Sequence, residues 1–371
     1  MEERLNTRHL KSLDGIRGIA ILSVMCFHFG YLGVGWIGVQ IFFTLSGYLI
    51  TTILLRSKDK SFLSFLGTFY WHRVLRIFPV LYLLLFVASV VFLVSGAPPS
   101  FKTDWLSVAS FTVNLARLRP QDVGPWCVHI WSLGIEQQFY LVWPFLVFFL
   151  SQRGFKLTVA AIIALTPLIR LWIFQYLLHT GHDSLYAGKA VYVLPVTQLD
   201  AFAAGAAIPT WALQGIPHAK RWFLGVLTIT AAAGVAVLAF AYFGHRGVFL
   251  SSLGYAMFLP EDYEYVWGYS LINLLSMLGI VCAIQGLAPR HLIENRLIVW
   301  IGAISYGFYV YHIPMLLIGE QAMELFSTAL RQELRPVFFI VWIMGVIGIS
   351  YASYAWLERP VLRLKDYWQN R

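Results

Sequence analysis

Residues 74–95 read VLRIFPVLYLLLFVASVVFLVS, with a single charge near the start of the run. A helix needs about 20 mostly apolar residues to cross a bilayer, and this stretch supplies them. The composition of the chain extends that reading outward. Of 371 residues, 59% are apolar or aromatic, only 12% are charged, and the mean hydropathy is +0.69. Soluble domains carry about 25% charged residues, so an ordinary globular enzyme is excluded. The fold class that follows is an all-α polytopic membrane protein.

Reading the apolar runs against Gly, Pro and charge punctuation predicts about ten transmembrane helices. They fall near 13–33, 36–55, 74–95, 132–150, 156–177, 191–213, 221–243, 266–287, 297–318 and 335–357. The apolar stretch 247–259 is too short to span and is placed as a re-entrant or surface segment. Arg4, Arg8 and Lys11 precede the first run like the start of a signal peptide. No small-residue cleavage pattern follows, so the first run is expected to remain as a span. The larger share of the 27 Lys and Arg falls on the segments that face inward if the amino terminus is cytoplasmic. This bias predicts both termini cytoplasmic, in a multi-pass protein of the cytoplasmic (inner) membrane. The net charge of +9 is thereby read as a loop asymmetry rather than a nucleic-acid footprint. Cys26, Cys127 and Cys282 lie too far apart in sequence for a disulfide framework or a metal motif, and no metal is expected. The largest outer segment, about 96–131, carries Pro98, Pro99, Pro120 and Pro125. No segment is long enough for a soluble catalytic domain, so 1–371 is expected to be one transmembrane domain, its motif-bearing core about 11–360. No internal repeat of the transporter kind is visible.

A charge inside a membrane helix costs at least a few kcal/mol, so each ionisable group there needs a partner, water or a function. Asp14, Arg17 and His28 lie on the first run. Asp14 and Arg17 suit a local i,i+3 pair as well as a site. His28 follows Arg17 by eleven positions, roughly 16 Å along the helix, among apolar neighbours. It is either a catalytic base or a structural histidine bonded to a carbonyl. Arg73 and Arg76, three apart in FYWHRVLRIFP, share one helical face. They read as positive-inside anchors or as a clamp for an anionic phosphate. His129 and Glu136 open the fourth span in HIWSLGIEQQFYLVWP, and Glu136 has no adjacent Lys or Arg. Arg170 and Asp200 read as a pair joining the fifth and sixth spans. His312, two before Pro314, reads as a hydrogen bonder that steadies a kink, or as a site residue. Glu358-Arg359-Pro360 reads as a helix terminator at the membrane surface.

The sidedness suggests a mechanism. Arg17, Arg73 and Arg76 gather toward the cytoplasm, while His28 and Glu136 reach similar depth toward the other face. A cationic inner mouth leading to a His and carboxylate pair suits a long, phosphate-headed donor such as acyl-coenzyme A.

Five segments then resemble one family, the membrane acyltransferase-3 family, which includes bacterial O-acetyltransferases of surface polysaccharides. They are LDGIRGIAILSVMCFH, with ten residues between Arg17 and His28; GVQIFFTLSGYLIT (38–51) with FYWHRVLRIFP; HIWSLGIEQQFYLVWP (129–144); ISYGFYVYHIPML (304–316); and SYAWLERP (353–360). They cover nearly the whole chain in the family's order. The resemblance implies about ten helices, an acyl-coenzyme A donor and transfer to a hydroxyl. It also implies that His28 is essential and that Arg73 and Arg76 bind coenzyme A. Three positions depart from the pattern: Gln40 where Asp is frequent, Gln137 where a second Glu is common, and Gln198 in place of an Arg. Larger relatives append an extracytoplasmic hydrolase-like domain, and this chain is expected to act without one.

The expected function is an acyl-CoA-dependent integral-membrane O-acyltransferase, acetyl being the expected group, acting on a hydroxyl of an extracytoplasmic or lipid-linked glycan such as a polysaccharide or lipopolysaccharide. His28 is the expected general base. Glu136 orients it or holds the acceptor, and Arg17, Arg73 and Arg76 hold the donor phosphates. Asp14, His129, Trp131, Ser132 and His312 are expected to contact the acceptor or to support the site. Acetyl-CoA enters as co-substrate, and the partners are the glycan and the lipid bilayer, with no nucleic acid. Two alternatives stand beside this: acylation of a small molecule such as an antibiotic, and a secondary transporter or glycan exporter.

Overall fold

In lipid, a backbone N–H or C=O has no water to bond, so a chain this apolar must satisfy those groups within helices or a closed barrel. The computed structural model resolves the choice as helices and describes residues 2–245, 247–260 and 263–365, with side chains from Lys11 onward. Arg4 and Arg8 of the cationic amino-terminal flank therefore lie, as side chains, outside the described residues. There is no β-strand among the described residues. The helices are α1 (Glu2–His28), α2 (Ile37–Arg56), α3 (Phe62–Ser95), α4 (Phe101–Ala109), α5 (Val113–Ala116), α6 (Trp131–Phe149), α7 (Gln152–His179) and α8 (Ser184–Val193). They continue with α9 (Leu199–Thr210), α10 (Ala219–Phe243), α11 (Glu264–Ile284), α12 (Arg290–Ile293), α13 (Arg296–Ala303), α14 (Ser305–Met323), α15 (Thr328–Ser353) and α16 (Arg359–Leu362).

Six of the described helices are long and apolar enough to cross a membrane, or seven if the pair α13 and α14, interrupted at Ile304, forms one span. The protein is thus a multi-pass, all-helical membrane protein. Of the predicted spans, those on α1 and α6 do not reach this threshold. Lys11, Asp14 and Arg17 charge the first, and the polar start WSLGIEQQ dilutes the second. The predicted run 191–213 is broken: α8 ends at Val193, a 3-10 turn covers Pro195–Thr197, and α9 begins at Leu199. Pro195 has no N–H to continue the helix. The stretch 247–259 holds only a 3-10 turn, Leu250–Ser252, followed by left-handed backbone at Leu253. It is tied down by Val34 N–H to the Ser251 carbonyl (3.0 Å) and by the Trp36 indole to the Tyr255 carbonyl (3.0 Å).

The chain forms two compact units, Met1–Lys58 with Gln138–Ala303 and Asp59–Gln137 with Ile304–Arg371. In the first, glycine sets how closely helices approach, because helices in lipid associate through close backbone packing. A methyl group on Gly47 of α2 would strike the Phe202 carbonyl of α9, and one on Gly205 of α9 would strike the Thr44 carbonyl of α2. Likewise Gly15 and Gly18 of α1 abut the carbonyls of Ile293 and Ile298, while Gly302 of α13 abuts that of Asp14. The glycines of the LDGIRG stretch are therefore the surface on which α1 meets α12 and α13. By contrast α10 is largely exposed, with Leu224, Ile229, Val235 and Phe240 facing outward, as a lipid-facing helix requires.

In the second unit α3 and α14 are joined by the Tyr306 hydroxyl, which donates to the Ile77 carbonyl at 2.7 Å. The last helix differs from the terminator expected at Glu358-Arg359-Pro360. It passes through that segment by widening into a π-helical turn, Tyr354–Glu358, and continues to Leu362. The Arg359 amide bonds to the Tyr354 carbonyl five residues back, which leaves room for the ring of Pro360.

Candidate active site

The second unit gathers most of the predicted site residues. His129 sits on the 3-10 turn Val128–Ile130 that leads into α6, buried, with Nε2 3.0 Å from the Val310 carbonyl. That carbonyl is available because Pro314, four residues on, has no amide to offer it. A carbonyl only accepts, so the Nε2 of His129 carries a proton. His129 thus serves the carbonyl that the proline leaves free in α14, a task for which His312 was one candidate from its position in the sequence. His312 instead turns Nδ1 to the carbonyl of Tyr309, 2.5 Å away, and its own carbonyl accepts from the Trp342 indole at 3.1 Å. The two imidazole rings lie 4.8 Å apart, nearly edge to face.

Tyr309 links this pair to Ser132. Its hydroxyl donates to the His129 carbonyl at 2.6 Å, which uses its only proton, so the Ser132 hydroxyl 2.5 Å away must donate to it. Trp131, also buried, begins α6 beside them. His129, Ser132 and His312 therefore form one buried polar cluster around Tyr309, a residue the sequence reading passed over.

Arg73 and Arg76, on α3, are half-buried, and the Arg73 guanidinium lies 5.8 Å from the centre of the Phe69 ring. Glu136, one turn beyond Ser132, is half-buried as well. The charges of Glu358, Glu136 and Arg76 all lie within electrostatic reach of the Tyr306 hydroxyl. Glu358 was read from sequence as part of a terminator. It is buried on the π-helical turn, and its Oε1, which faces Gly307, has no hydrogen-bond partner among the described residues. π-Helical turns recur at functional sites, and a buried carboxylate oxygen without a partner is unfavourable unless it has a task. The signal in the sequence was a carboxylate just before Pro360, at a helix end that continues.

The first unit holds Asp14, Arg17 and His28. Asp14 and Arg17 do form the local pair, at 2.8 Å. His28 is half-buried at the last residue of α1, edge-on to Phe27 with ring centres 5.1 Å apart. Arg170 and Asp200 pair as expected, fully desolvated. The guanidinium reaches both carboxylate oxygens at 2.9 and 2.8 Å, the Thr197 carbonyl at 2.9 Å and the Ser270 hydroxyl at 2.9 Å. With both terminal nitrogens of the guanidinium engaged on three segments, this pair is a staple between α7, α9 and α11.

Two of the three departures from the family pattern meet each other here. The Gln40 amide nitrogen donates to Gln198 Oε1 at 2.8 Å, and the Gln198 amide nitrogen donates to the carbonyls of Val191 and Tyr192, both at 3.1 Å. Both side chains are fully buried. Where the resemblance implied an Asp and an Arg, this chain has one neutral amide pair. Gln137, the third, buries its amide nitrogen without a hydrogen-bond partner among the described residues. Among those residues no group of three His, Cys, Asp or Glu side chains is placed to hold a metal ion.

A family profile for an acyltransferase domain matches residues 10–355. The peptidoglycan O-acetyltransferase OatA of Listeria monocytogenes is 26% identical over 96% of this chain and 56% of its own length. The O-acetyltransferase OatA of Staphylococcus aureus is 24% identical over 97% of this chain and 58% of its own length. The chain thus spans little more than half the length of these relatives. No solved structure matches it significantly.

Proposed function

The chain belongs to the acyltransferase family whose profile spans it, and from that premise we propose that it transfers an acetyl group from acyl-coenzyme A to a hydroxyl of a cell-envelope glycan, with peptidoglycan as the first acceptor to test. The observation that carries this reading is the retention, in one chain, of His28, the Arg73 and Arg76 pair and the polar segment from His129 to Glu136.

In this reading Arg73 and Arg76 hold the donor's phosphates through charge-assisted hydrogen bonds, and Arg17, already paired to Asp14, adds to the positive field. His28 removes the acceptor's hydroxyl proton as that oxygen attacks the thioester carbonyl. The carbon–oxygen bond forms, the carbon–sulfur bond breaks, and coenzyme A leaves as the thiol with a proton returned from the imidazolium. Glu136 serves turnover at the acceptor rather than donor affinity. The Tyr309 cluster of His129, Ser132 and His312 keeps α14 and the start of α6 in place. Glu358 offers its unpartnered oxygen to a hydrogen-bond donor of the substrates.

Purified protein should release coenzyme A from acetyl-coenzyme A and label peptidoglycan fragments with the acetyl group, and the His28→Ala protein should do neither. Binding of the glycan without consumption of the thioester would favour an exporter and overturn this assignment.

A further inference from the structure

The face of the first unit where α10 begins carries a cleft of about 670 Å³. Its walls are apolar, from Ile216, Pro217, Leu224 and Leu287, and Lys220 and Arg221 stand among them. The floor is built: the Gln285 side chain, just past α11, donates to the carbonyls of Gln214 and Ile216, both at 3.0 Å, and holds the α9–α10 connection against the end of α11. Ala219 is fully buried beneath. Leu224 and Leu287 are exposed, and α10 leaves the cleft as the least buried of the spanning helices. The cleft therefore opens along the exposed, apolar flank of α10. Trp222 is exposed beside it, and exposed indoles at the ends of spanning helices favour the membrane interface.

The charges here lack a counterpart. Among the described residues neither Lys220 nor Arg221 forms an ion pair, and the first turn of α10 has no acid. Two cations at the positive end of a helix dipole are unfavourable until an anion joins them. An apolar trough that runs out to the bilayer, with two cations at its surface end, matches a molecule with the reverse layout: an anionic phosphate head on a hydrocarbon tail.

We propose that this cleft binds an anionic phospholipid, with the phosphate between Lys220 and Arg221 and an acyl chain along Leu224. A basic pocket at a helix end near the membrane surface has the chemistry for such headgroups. The site is distinct from the residues assigned to acyl transfer and does not depend on that assignment.

The test is native mass spectrometry of the full-length protein, titrated with phosphatidylglycerol, phosphatidylcholine or glycerol phosphate. Each cation near a headgroup is worth about fivefold in affinity, so K220A/R221A should hold phosphatidylglycerol roughly 25-fold more weakly. R153A/K156A, which removes equal charge elsewhere, should bind as wild type does. L224W, which fills the trough without changing charge, should also lose lipid, and it keeps the test decisive if K220A/R221A does not fold. Equal loss in both double variants would overturn the proposal. So would retention of phosphatidylcholine as tight as that of phosphatidylglycerol, unchanged binding in L224W, or displacement of the lipid by glycerol phosphate, which would make the site one for free phosphates.

Discussion

Gln40 and Gln198 are buried together with a 2.8 Å hydrogen bond, at positions where the family resemblance implies Asp and Arg. Changing Gln198→Arg alone places a guanidinium that cannot lose its proton in a site with no free carboxylate, because Asp200 is already committed to Arg170. An uncompensated buried charge of this kind costs about 3 to 5 kcal/mol. Gln40→Asp alone should be milder, about 1 to 3 kcal/mol, because a buried carboxyl can keep its proton and leave only a poorly matched hydrogen bond. Combining the two creates an Arg and Asp pair whose remaining N–H groups can still serve the carbonyls of Val191 and Tyr192. Desolvation and attraction then roughly offset, and the double variant should fall within about 1 to 2 kcal/mol of wild type. Unfolding of the four proteins in mixed detergent micelles, followed by tryptophan fluorescence, gives the double-mutant cycle directly, with an expected coupling of at least about 2 kcal/mol. A double variant as unstable as the sum of its singles would show that the two positions are not one exchanged pair.

His28→Ala should lower acetyl transfer by about 10²- to 10⁴-fold with folding intact, and turnover near wild type would remove His28 from the chemistry. Arg73→Ala and Arg76→Ala should each weaken coenzyme A binding by about tenfold or more in titration, with Lys recovering part of the loss; full recovery by Lys would make them membrane anchors. His129→Ala should cost stability in the native background and much less in Pro314→Ala, where the restored amide can serve the Val310 carbonyl; equal losses in both would refute the link. Cys127→Ser should retain activity, and the Cys127 thiol should resist maleimide until the protein unfolds. Burial first, then the Asp104 and Asp122 carboxylates, pushes that thiol well above its usual value. The folded state therefore favours the protonated form, a stabilisation complete below the unfolded-state value near 9 and lost as pH rises beyond it. Rapid labelling of the folded protein at neutral pH would contradict this.

The α-helical membrane class was legible in single stretches such as 74–95, because lipid imposes the same demand on every peptide group and a local run of apolar residues answers it. The pair Asp14 and Arg17, three residues apart, was legible for the same reason: helical spacing alone brings them together. The Arg170 and Asp200 pair could be guessed from sequence because two opposite charges in hydrocarbon have few other partners. What tertiary structure decided were contacts between groups that are far apart in the chain and chemically ordinary. Nothing local in HIPML says that the carbonyl freed by Pro314 is met by a histidine 181 residues earlier, and His312, being nearer, was one candidate for it. Nothing in Gln40 or Gln198 read separately reveals one neutral pair across 158 residues. Glu358 looked like the end of a helix because proline usually ends one, and only the packed helix shows the chain widening by a residue to carry that carboxylate inside. Local rules state what each backbone and side chain requires, whereas the three-dimensional packing decides which distant group supplies it.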